Sequence, residues 1–259
     1  MKETLNSFRA MYRVIPLCVA TASIYLIWLC GAPFVCAFSM LSHQWRSFIF
    51  RLWAQMVAAI AGMKIKVRGE APRPPFFLVS NHLSYMDIVL LATRLDCVFV
   101  AKSEVANWPV IGPLCRSMKT IFINRNLRRD IPQALASMKQ AIDEGSGVVL
   151  FAEGTSTAGA TVAPFKPSLL ELAAQAHMPV HYVSLSYRTP QKAPPAQRAV
   201  CWWGEMTFPK HLFELLALRG FEAELVFGTQ PIQAADRKVL ANKLWRAVSA
   251  QFSPVVVME

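Results

Sequence analysis

The sequence predicts an α/β fold, a single domain with a mostly parallel mixed sheet flanked by helices and preceded by N-terminal membrane-associated helices. After Lys64, short β-rich runs alternate with stretches of helical periodicity, a pattern typical of one layered domain around a parallel sheet. Before that point, the 28 residues Val14–Leu41 carry no charge. The 259-residue chain is 54% hydrophobic and 17% charged, compared with roughly 25% charged in soluble domains. We therefore expect a membrane anchor over residues 1–63 and the α/β domain over residues 64–259.

The uncharged run is longer than a bilayer requires. A straight helix of that length would measure about 42 Å against a hydrocarbon core of about 30 Å. It must therefore tilt, kink or break, and Gly31 and Pro33 offer a place to break. The run exceeds the apolar region of a secretory signal and has no convincing cleavage site, so we expect it to be retained.

The following stretch, Trp45–Met63, mixes aromatic and apolar residues with Arg46 and Arg51. This pattern favours a helix at a membrane interface, with its arginines among phosphate headgroups. Two arrangements stay open: one membrane span followed by an interfacial helix, or a two-helix hairpin in one leaflet. Basic residues flank both ends of the uncharged run, so the positive-inside rule does not choose between them. Buried helices of a soluble core are the less favoured alternative, because these rarely exceed 20 uncharged residues.

The formal net charge of +11 is concentrated near the predicted anchor, because the first 73 residues carry a net +7. An anionic membrane surface is therefore the expected partner. Nucleic acid is not expected, since no basic stripe interleaved with aromatics occurs in the α/β part. The six cysteines have no metal-site spacing, so we expect reduced thiols, a cytosol-facing protein and no metal.

Short apolar runs rich in β-branched and aromatic residues predict eight strands: Met63–Val67, Phe76–Ser80, Cys97–Ala101, Ile121–Asn124, Val148–Ala152, Val180–Tyr187, Val200–Trp203 and Glu222–Phe227. Helical periodicity between them predicts five helices: Tyr85–Thr93, Ile131–Ile142, Pro167–Ala176, Pro209–Leu218 and Ala234–Phe252.

Polar or charged residues directly follow four of these strands, at the point where each strand ends. In a parallel sheet such residues gather at the carboxyl edge, where open α/β folds bind their ligands. The sequence therefore predicts a site with one imidazole, two cations and one carboxylate. Its members in chain order are Asn81 and His82, Lys102, Arg125, and Glu153 with Gly154 and Thr155.

His82 and Asp87 form the candidate catalytic pair. On one continuous helix they would lie about 140° apart, but Ser84 and Asp87 have the spacing of a capping box. The helix is therefore expected to begin at Ser84, and the imidazole can fold back onto Asp87. A carboxylate on one ring nitrogen leaves the other free to take a proton from a hydroxyl. The alternative is that Asp87 only caps the helix. Because no G-x-S-x-G motif accompanies the pair, direct attack by a substrate hydroxyl is favoured.

Asn81-His82 with Asp87 resembles the N-H-x-x-x-x-D motif of the glycerolipid acyltransferases, the family of 1-acylglycerol-3-phosphate acyltransferases. Three further blocks follow in the family's order, and the resemblance covers about residues 64–190. Ile121–Arg125 is similar to the G-x-x-F-I-x-R block, Phe151–Ser156 to F-P-E-G-T-R, and Met178–Val183 to the apolar I-V-P-V strand.

The resemblance implies acyl transfer to a lipid hydroxyl from the thioester of acyl-CoA or acyl carrier protein, with no other cofactor. His82 would be the general base and Asp87 its orienting partner. Arg125 would bind an anionic headgroup, and Lys102 and Lys166 are weaker candidates for phosphate contacts. Glu153, Gly154 and Thr155 would shape the acceptor pocket. The enzyme would work at the cytoplasmic face of the inner or plasma membrane.

Three residues depart from the family pattern. Lys119 replaces a glycine, Ala152 replaces a proline, and Ser156 replaces an arginine. The last change removes a cation, which a less phosphate-like headgroup tolerates better. The segment Cys201–Glu205 is similar to relatives that acylate lyso-ornithine lipids. Lysophosphatidate is the expected acceptor, and a lyso-aminolipid such as lyso-ornithine lipid is the alternative. Two other classes of protein remain as rivals: a thioesterase or lipase, and a non-enzymatic lipid-binding protein.

Overall fold

The computed structural model describes residues 2–35, 37–124 and 127–255. Nine α-helices lie in this part of the chain: α1 (Lys2–Val35), α2 (Ser39–Ala61), α3 (Met86–Ala92), α4 (Ile111–Ser117), α5 (Ile131–Asp143), α6 (Glu171–Gln175), α7 (Ala196–Ala199), α8 (Phe208–Ala217) and α9 (Arg237–Gln251). Short 3₁₀ helices span Ser103–Asn107, Arg128–Asp130 and Ser168–Leu170. Seven strands complete the described fold: β1 (Met63–Arg68), β2 (Phe76–Ser80), β3 (Cys97–Lys102), β4 (Ile121–Ile123), β5 (Gly147–Phe151), β6 (Val180–Arg188) and β7 (Phe221–Phe227).

The strands form one sheet in the order β1-β7-β6-β2-β5-β3-β4. Neighbouring strands are parallel except for the β6–β7 pair, which is antiparallel. The predicted α/β class with a mostly parallel mixed sheet is confirmed. The two central strands β2 and β5 are buried along their whole length, because helices cover both faces of the sheet. The carboxyl ends of β2, β3, β4, β5 and β6 lie at one edge.

Seven predicted strands are present, with ends displaced by no more than one residue. The eighth prediction, Val200–Trp203, is wrong. Val200 and Cys201 are buried beyond the end of α7, but they pair with no strand within the described residues. Trp202 instead donates its backbone N–H to the carbonyl of Leu83, at 2.8 Å. A short buried apolar run has the same composition whether or not its backbone forms hydrogen bonds with a neighbouring strand.

Helices α1 and α2 form an antiparallel hairpin. The Trp45 indole donates to the carbonyl of Trp28 at 3.4 Å, and the Trp53 indole donates to Thr21 Oγ1 at 3.2 Å. A Cβ added at Gly31 would overlap the Trp45 indole, so the glycine allows close approach of the two helices. Helix α1 passes through Gly31 and Pro33 and ends at Val35. The predicted break therefore falls slightly too early.

The hairpin packs on the sheet and is part of the hydrophobic core. Ala54, Val57, Ala58 and Ala61 of α2 are buried in the same cluster as residues of β2, β6 and β7. Gly62 separates α2 from β1. Because the hairpin shares this core, the division of the chain into an anchor and a separate domain stays a prediction.

Arg46 corrects one prediction about the hairpin. Its side chain is only 5% exposed, so it does not lie among lipid headgroups. Instead its guanidinium donates to the carbonyl of Met118 and to Ser146 Oγ, both at 3.3 Å. Ser146 precedes β5, so this arginine ties α2 to the amino edge of the sheet. Arg51, one turn and a half further along, is exposed.

Many large apolar side chains of the hairpin are exposed. The segment Ser7–Val35 has a mean hydropathy of 2.0 and is long enough to cross a membrane. Only 11% of its most apolar stretch of 18 residues is buried. Exposed apolar surface of this extent is typical of membrane association. The exposed side chains include Phe8, Met11, Ile15, Val19, Leu26, Phe34, Phe38, Met40 and Phe48.

Candidate active site

His82 and Asp87 meet at the carboxyl edge of the sheet. His82 Nδ1 lies 2.7 Å from Asp87 Oδ2. The Asp87 carboxylate is fully buried, whereas the imidazole is 19% exposed and lines a cavity. Helix α3 begins at Met86, two residues later than predicted, but the expected fold-back of the imidazole onto Asp87 is present.

The buried carboxylate is held by four hydrogen bonds. Asp87 Oδ2 accepts from the backbone N–H groups of Leu83 (2.7 Å) and Ser84 (3.0 Å) as well as from His82, and Oδ1 accepts from the Tyr187 hydroxyl at 2.6 Å. Burial raises the pKa of Tyr187 well above its usual range, so the hydroxyl stays protonated as a donor. Asp87 thus fixes the turn before α3 and orients the imidazole at the same time, and the catalytic role of the pair stays a prediction.

These contacts fix which nitrogen of His82 carries the proton. A carboxylate oxygen only accepts hydrogen bonds, so Nδ1 must be the donor to Asp87. In the neutral imidazole the other nitrogen, Nε2, then carries the lone pair. Nε2 has no hydrogen-bond partner among the described residues, and its ring borders the cavity. The arrangement can therefore accept a proton from a group bound there.

The loop that carries His82 is fixed on three sides. Asn81 exchanges two hydrogen bonds with the backbone of Leu185 on β6, at 3.0 and 2.8 Å. The carbonyl of His82 accepts from the N–H of Thr157 at 3.0 Å. The imidazole stacks on Phe151 at the end of β5, with ring centroids 4.0 Å apart and planes inclined by 18°. The imidazole is therefore held in one orientation by the surrounding fold.

Glu153 supports the same loop from behind. Its carboxylate accepts from the backbone N–H of His82 at 2.6 Å and from that of Ala163 at 2.8 Å. The residue is 3% exposed, and burial raises the pKa of its carboxyl to about 7 despite these two donors. Glu153 is not among the described residues that line the cavity. Its observed contacts hold the loop that carries His82.

The other predicted site residues that the structure describes lie either on the cavity wall or at the turn formed by Gly154. Lys102 and Thr155 are exposed and line the cavity together with His82. Gly154 is buried at φ +80°, and a Cβ there would come within 2.9 Å of Lys166 Nζ, so Lys166 lies over this turn. Lys166 itself is exposed. Arg125 lies outside the described residues.

The cavity itself has a volume of about 550 Å³ and extends from His82 between the sheet and the helical hairpin. Its walls are mostly apolar and aromatic, with polar side chains such as Thr155 and Ser156 near the loop that carries His82. Sequence reasoning did not predict that the hairpin would form a wall of the site. Hairpin residues lining it include Ile24, Tyr25, Trp28, Ile49, Phe50 and Trp53.

Sequence reasoning also missed Tyr187. Residue 187 lies near the carboxyl end of β6, so the edge rule that selected the other candidates would have found it. Its distance of 100 residues from Asp87 made the pairing invisible to motif spacing.

Comparison with known proteins identifies the family. A family model described as Acyltransferase matches residues 64–186. The lyso-ornithine lipid O-acyltransferase of Rhodobacter capsulatus is 35% identical over 215 residues, which cover 80% of this chain and 76% of that protein. The chain belongs to the glycerolipid acyltransferase family. The resemblance inferred from the four sequence blocks is thus confirmed.

This glycerolipid acyltransferase is similar to two further proteins, one in sequence and one in fold. The 1-acyl-sn-glycerol-3-phosphate acyltransferase of Neisseria meningitidis is 27% identical over 198 residues, covering 75% of this chain and 76% of that protein. The crystal structure of the 1-acyl-sn-glycerophosphate acyltransferase PlsC from Thermotoga maritima superimposes with a TM-score of 0.60 at 20% identity. That match covers 92% of this chain and 97% of the other. It shows that the two proteins share a fold.

The three departures from the pattern of the glycerolipid acyltransferases have defined places in the fold. Lys119 adopts φ +56°, a left-handed conformation that glycine takes without steric cost. Ala152 donates its N–H to the carbonyl of Ser80 at 3.3 Å, a bond that proline could not make. Ser156 lines the cavity. Of the three, Ser156 is therefore placed to contact a ligand.

Proposed function

We propose that this enzyme transfers a fatty acyl group from the thioester of acyl-CoA or acyl carrier protein to the free hydroxyl of a membrane lysolipid. The observation that carries the proposal is the His82–Asp87 pair, whose free Nε2 borders a largely apolar cavity. A largely apolar cavity suits a lipid chain, and the exposed apolar side chains of the hairpin would keep the enzyme where lipid acceptors are found.

The proposed reaction needs no covalent acyl-enzyme intermediate. The acceptor oxygen attacks the thioester carbonyl carbon while its proton passes to His82 Nε2, and Asp87 stabilises the resulting imidazolium. The tetrahedral intermediate then collapses, the C–S bond breaks, and the imidazolium returns the proton to the leaving sulfur. The products are an ester and a free thiol, so no cofactor beyond the acyl donor is required.

Cationic side chains would hold the anionic groups of the substrates. Lys102 lines the cavity, and Lys166 lies over Gly154 next to it. We propose that these two residues and Arg125 contact phosphate on acceptor or donor, because charge-assisted hydrogen bonds to phosphate are stronger than neutral ones. Thr155 and the buried turn at Gly154 would shape the acceptor side of the pocket.

Two acceptors are supported. 1-Acylglycerol-3-phosphate, which would give phosphatidate, is the acceptor named for the Neisseria relative and for the protein that shares the fold. Lyso-ornithine lipid is the acceptor named for the Rhodobacter relative, whose identity to this chain is higher. Ser156 favours the second, because the cavity lacks a cation that the family pattern places there. The enzyme would face the cytoplasm at an anionic membrane surface.

Product analysis tests the reaction. The purified enzyme, supplied with a long-chain acyl-CoA and each lysolipid in mixed micelles, is expected to form the diacyl product. His82→Ala should abolish this product without releasing the protein from membranes, whereas His177→Asn, at an exposed histidine remote from the cavity, should retain activity. Free fatty acid without diacyl lipid would indicate a thioesterase or lipase. Full activity of His82→Ala would indicate that His82 is not the base.

A further inference from the structure

The cavity wall carries few charges, and they are of both signs. Apart from His82, the charged residues lining it in the described part of the chain are Lys102 and Glu104. Both are exposed. Within that part neither forms an ion pair, and Glu104 accepts a long hydrogen bond of 3.4 Å from Ser103 Oγ. Two opposite charges thus border the site without neutralising each other.

Their places in the chain keep the two charges near the catalytic edge. Lys102 is the last residue of β3, and Glu104 lies in the 3₁₀ helix that follows. A headgroup with one anionic and one cationic group would satisfy both residues. A phosphate monoester would be attracted by Lys102 and repelled by Glu104, so the pair discriminates between the two kinds of acceptor.

Another part of the wall is aromatic. Trp202 and Trp203 line the cavity, and the backbone N–H of Trp202 is bonded to Leu83 beside the catalytic histidine. Both indole N–H groups donate to carbonyls, of Met206 at 2.7 Å and of Gln197 at 3.0 Å. The rings are therefore fixed in place, and their π-systems can interact with a cation. This segment lies beyond residues 64–186, the part that the family model matches.

We propose that Glu104 is a specificity-determining residue that binds the cationic group of a zwitterionic lysolipid acceptor, while Lys102 binds its anionic group. The acceptor class is a lysolipid whose headgroup carries an ammonium together with a carboxylate or phosphate. This inference rests on the proposed acyl transfer and specifies the acceptor of that site. An ion pair in open water contributes little, but a contact at the mouth of an apolar cavity is less screened.

The test compares kcat/KM for lyso-ornithine lipid, which is zwitterionic, with kcat/KM for 1-acylglycerol-3-phosphate, which is anionic, using the full chain in mixed micelles with one acyl-CoA. Wild type should prefer lyso-ornithine lipid. Glu104→Gln should lower that preference roughly five- to tenfold, mainly through KM, and Glu104→Lys should lower it further. Glu70→Gln is the matched control, because it removes an exposed carboxylate that does not line the cavity.

Other outcomes would contradict either the role of Glu104 or the proposed acyl transfer itself. If wild type acylates only 1-acylglycerol-3-phosphate, or if Glu104→Gln and Glu70→Gln both keep the wild-type preference, the role of Glu104 is overturned while acyl transfer stands. If wild type acylates neither lipid with acyl-CoA and also neither with acyl-loaded acyl carrier protein, the proposed function itself fails and the role of Glu104 fails with it.

Discussion

At the scale of single residues, the site depends on how completely Asp87 is satisfied. Its two oxygens accept four hydrogen bonds, and three of the donors lie within five residues of it. An isolated buried carboxylate would be costly, so the donors that make it tolerable also determine the direction in which the imidazole points. The orientation of the imidazole and the local fold therefore have the same physical cause here.

Substitution of Asp87 should lower turnover more than substitution of Tyr187, which donates one of the hydrogen bonds to the Asp87 carboxylate. Asp87→Asn presents an amide to Nδ1 and disturbs the tautomer, so we expect kcat to fall by about 10²-fold or more. Tyr187→Phe removes one donor and should lower kcat by roughly three- to tenfold with little change in KM. Steady-state kinetics with a saturating acyl donor measure both. A Tyr187→Phe effect confined to KM would contradict a role in positioning the base.

Glu153 predicts a specific dependence of stability on pH. Burial raises the pKa of its carboxyl from an ordinary 4.5 to about 7. Between these values the folded chain binds a proton that the unfolded chain has released. The free energy of unfolding therefore decreases as pH rises through this window, by at most about 1.4 kcal/mol per pH unit, and levels off above it. Glu153→Gln should remove this contribution.

Thermal unfolding in detergent at pH 5 and pH 7.5 measures the effect. Wild type and the exposed-site control Glu70→Gln should lose similar stability between the two pH values, and Glu153→Gln should lose less. An unchanged pH dependence in Glu153→Gln would show that the buried carboxyl does not titrate in this range.

At the scale of secondary structure, the features that depend on nearby residues in the sequence could be predicted. Strands such as β2 and β5 are apolar throughout because both faces are buried, so their limits could be read directly. The His82–Asp87 pair was predictable because capping geometry acts within one turn. Burial of Arg46 was not, since it depends on which part of the sheet the hairpin contacts. The same applies to Tyr187, which reaches Asp87 from a distant strand.

The arginines of the hairpin should therefore differ in their effects. Arg13 donates to the carbonyls of Leu216 and Leu218 at 3.2 and 2.7 Å, at the end of α8. Arg13→Met leaves these carbonyls without that donor and should lower the free energy of unfolding by about 1–2 kcal/mol. Arg51→Met, at an exposed position, should change it by less than about 0.5 kcal/mol and instead weaken binding to anionic vesicles.

Thermal unfolding and vesicle co-sedimentation separate the two effects. Comparable loss of stability in both variants would contradict the assignment of Arg13 to folding. Equal vesicle binding by wild type and Arg51→Met would contradict the assignment of Arg51 to the membrane surface.

At the scale of the whole molecule, the hairpin is attached to the α/β part near both of its ends. Arg9 and Arg13 bond the end of α8, and Arg46 bonds Met118 and Ser146 near the opposite end. A helix held in this way cannot stand across a bilayer without drawing the charged surface of the α/β part into hydrocarbon, which is costly. The geometry therefore favours the second arrangement left open by the sequence, a hairpin in one leaflet.

This arrangement predicts which side of the membrane each position faces. Single cysteines at Ser7 and at Gln191, placed in a variant whose accessible native cysteines are replaced by alanine, should both react with an impermeant maleimide from the same side of oriented vesicles. A cysteine at Phe38, an exposed apolar residue between the two helices, should be protected from both sides because lipid covers it. Labelling of position 7 from the side opposite to position 191 would show instead that α1 spans the bilayer. The contacts of Arg13 with α8 would then have to break on insertion, because their two partners would lie on opposite sides of the membrane.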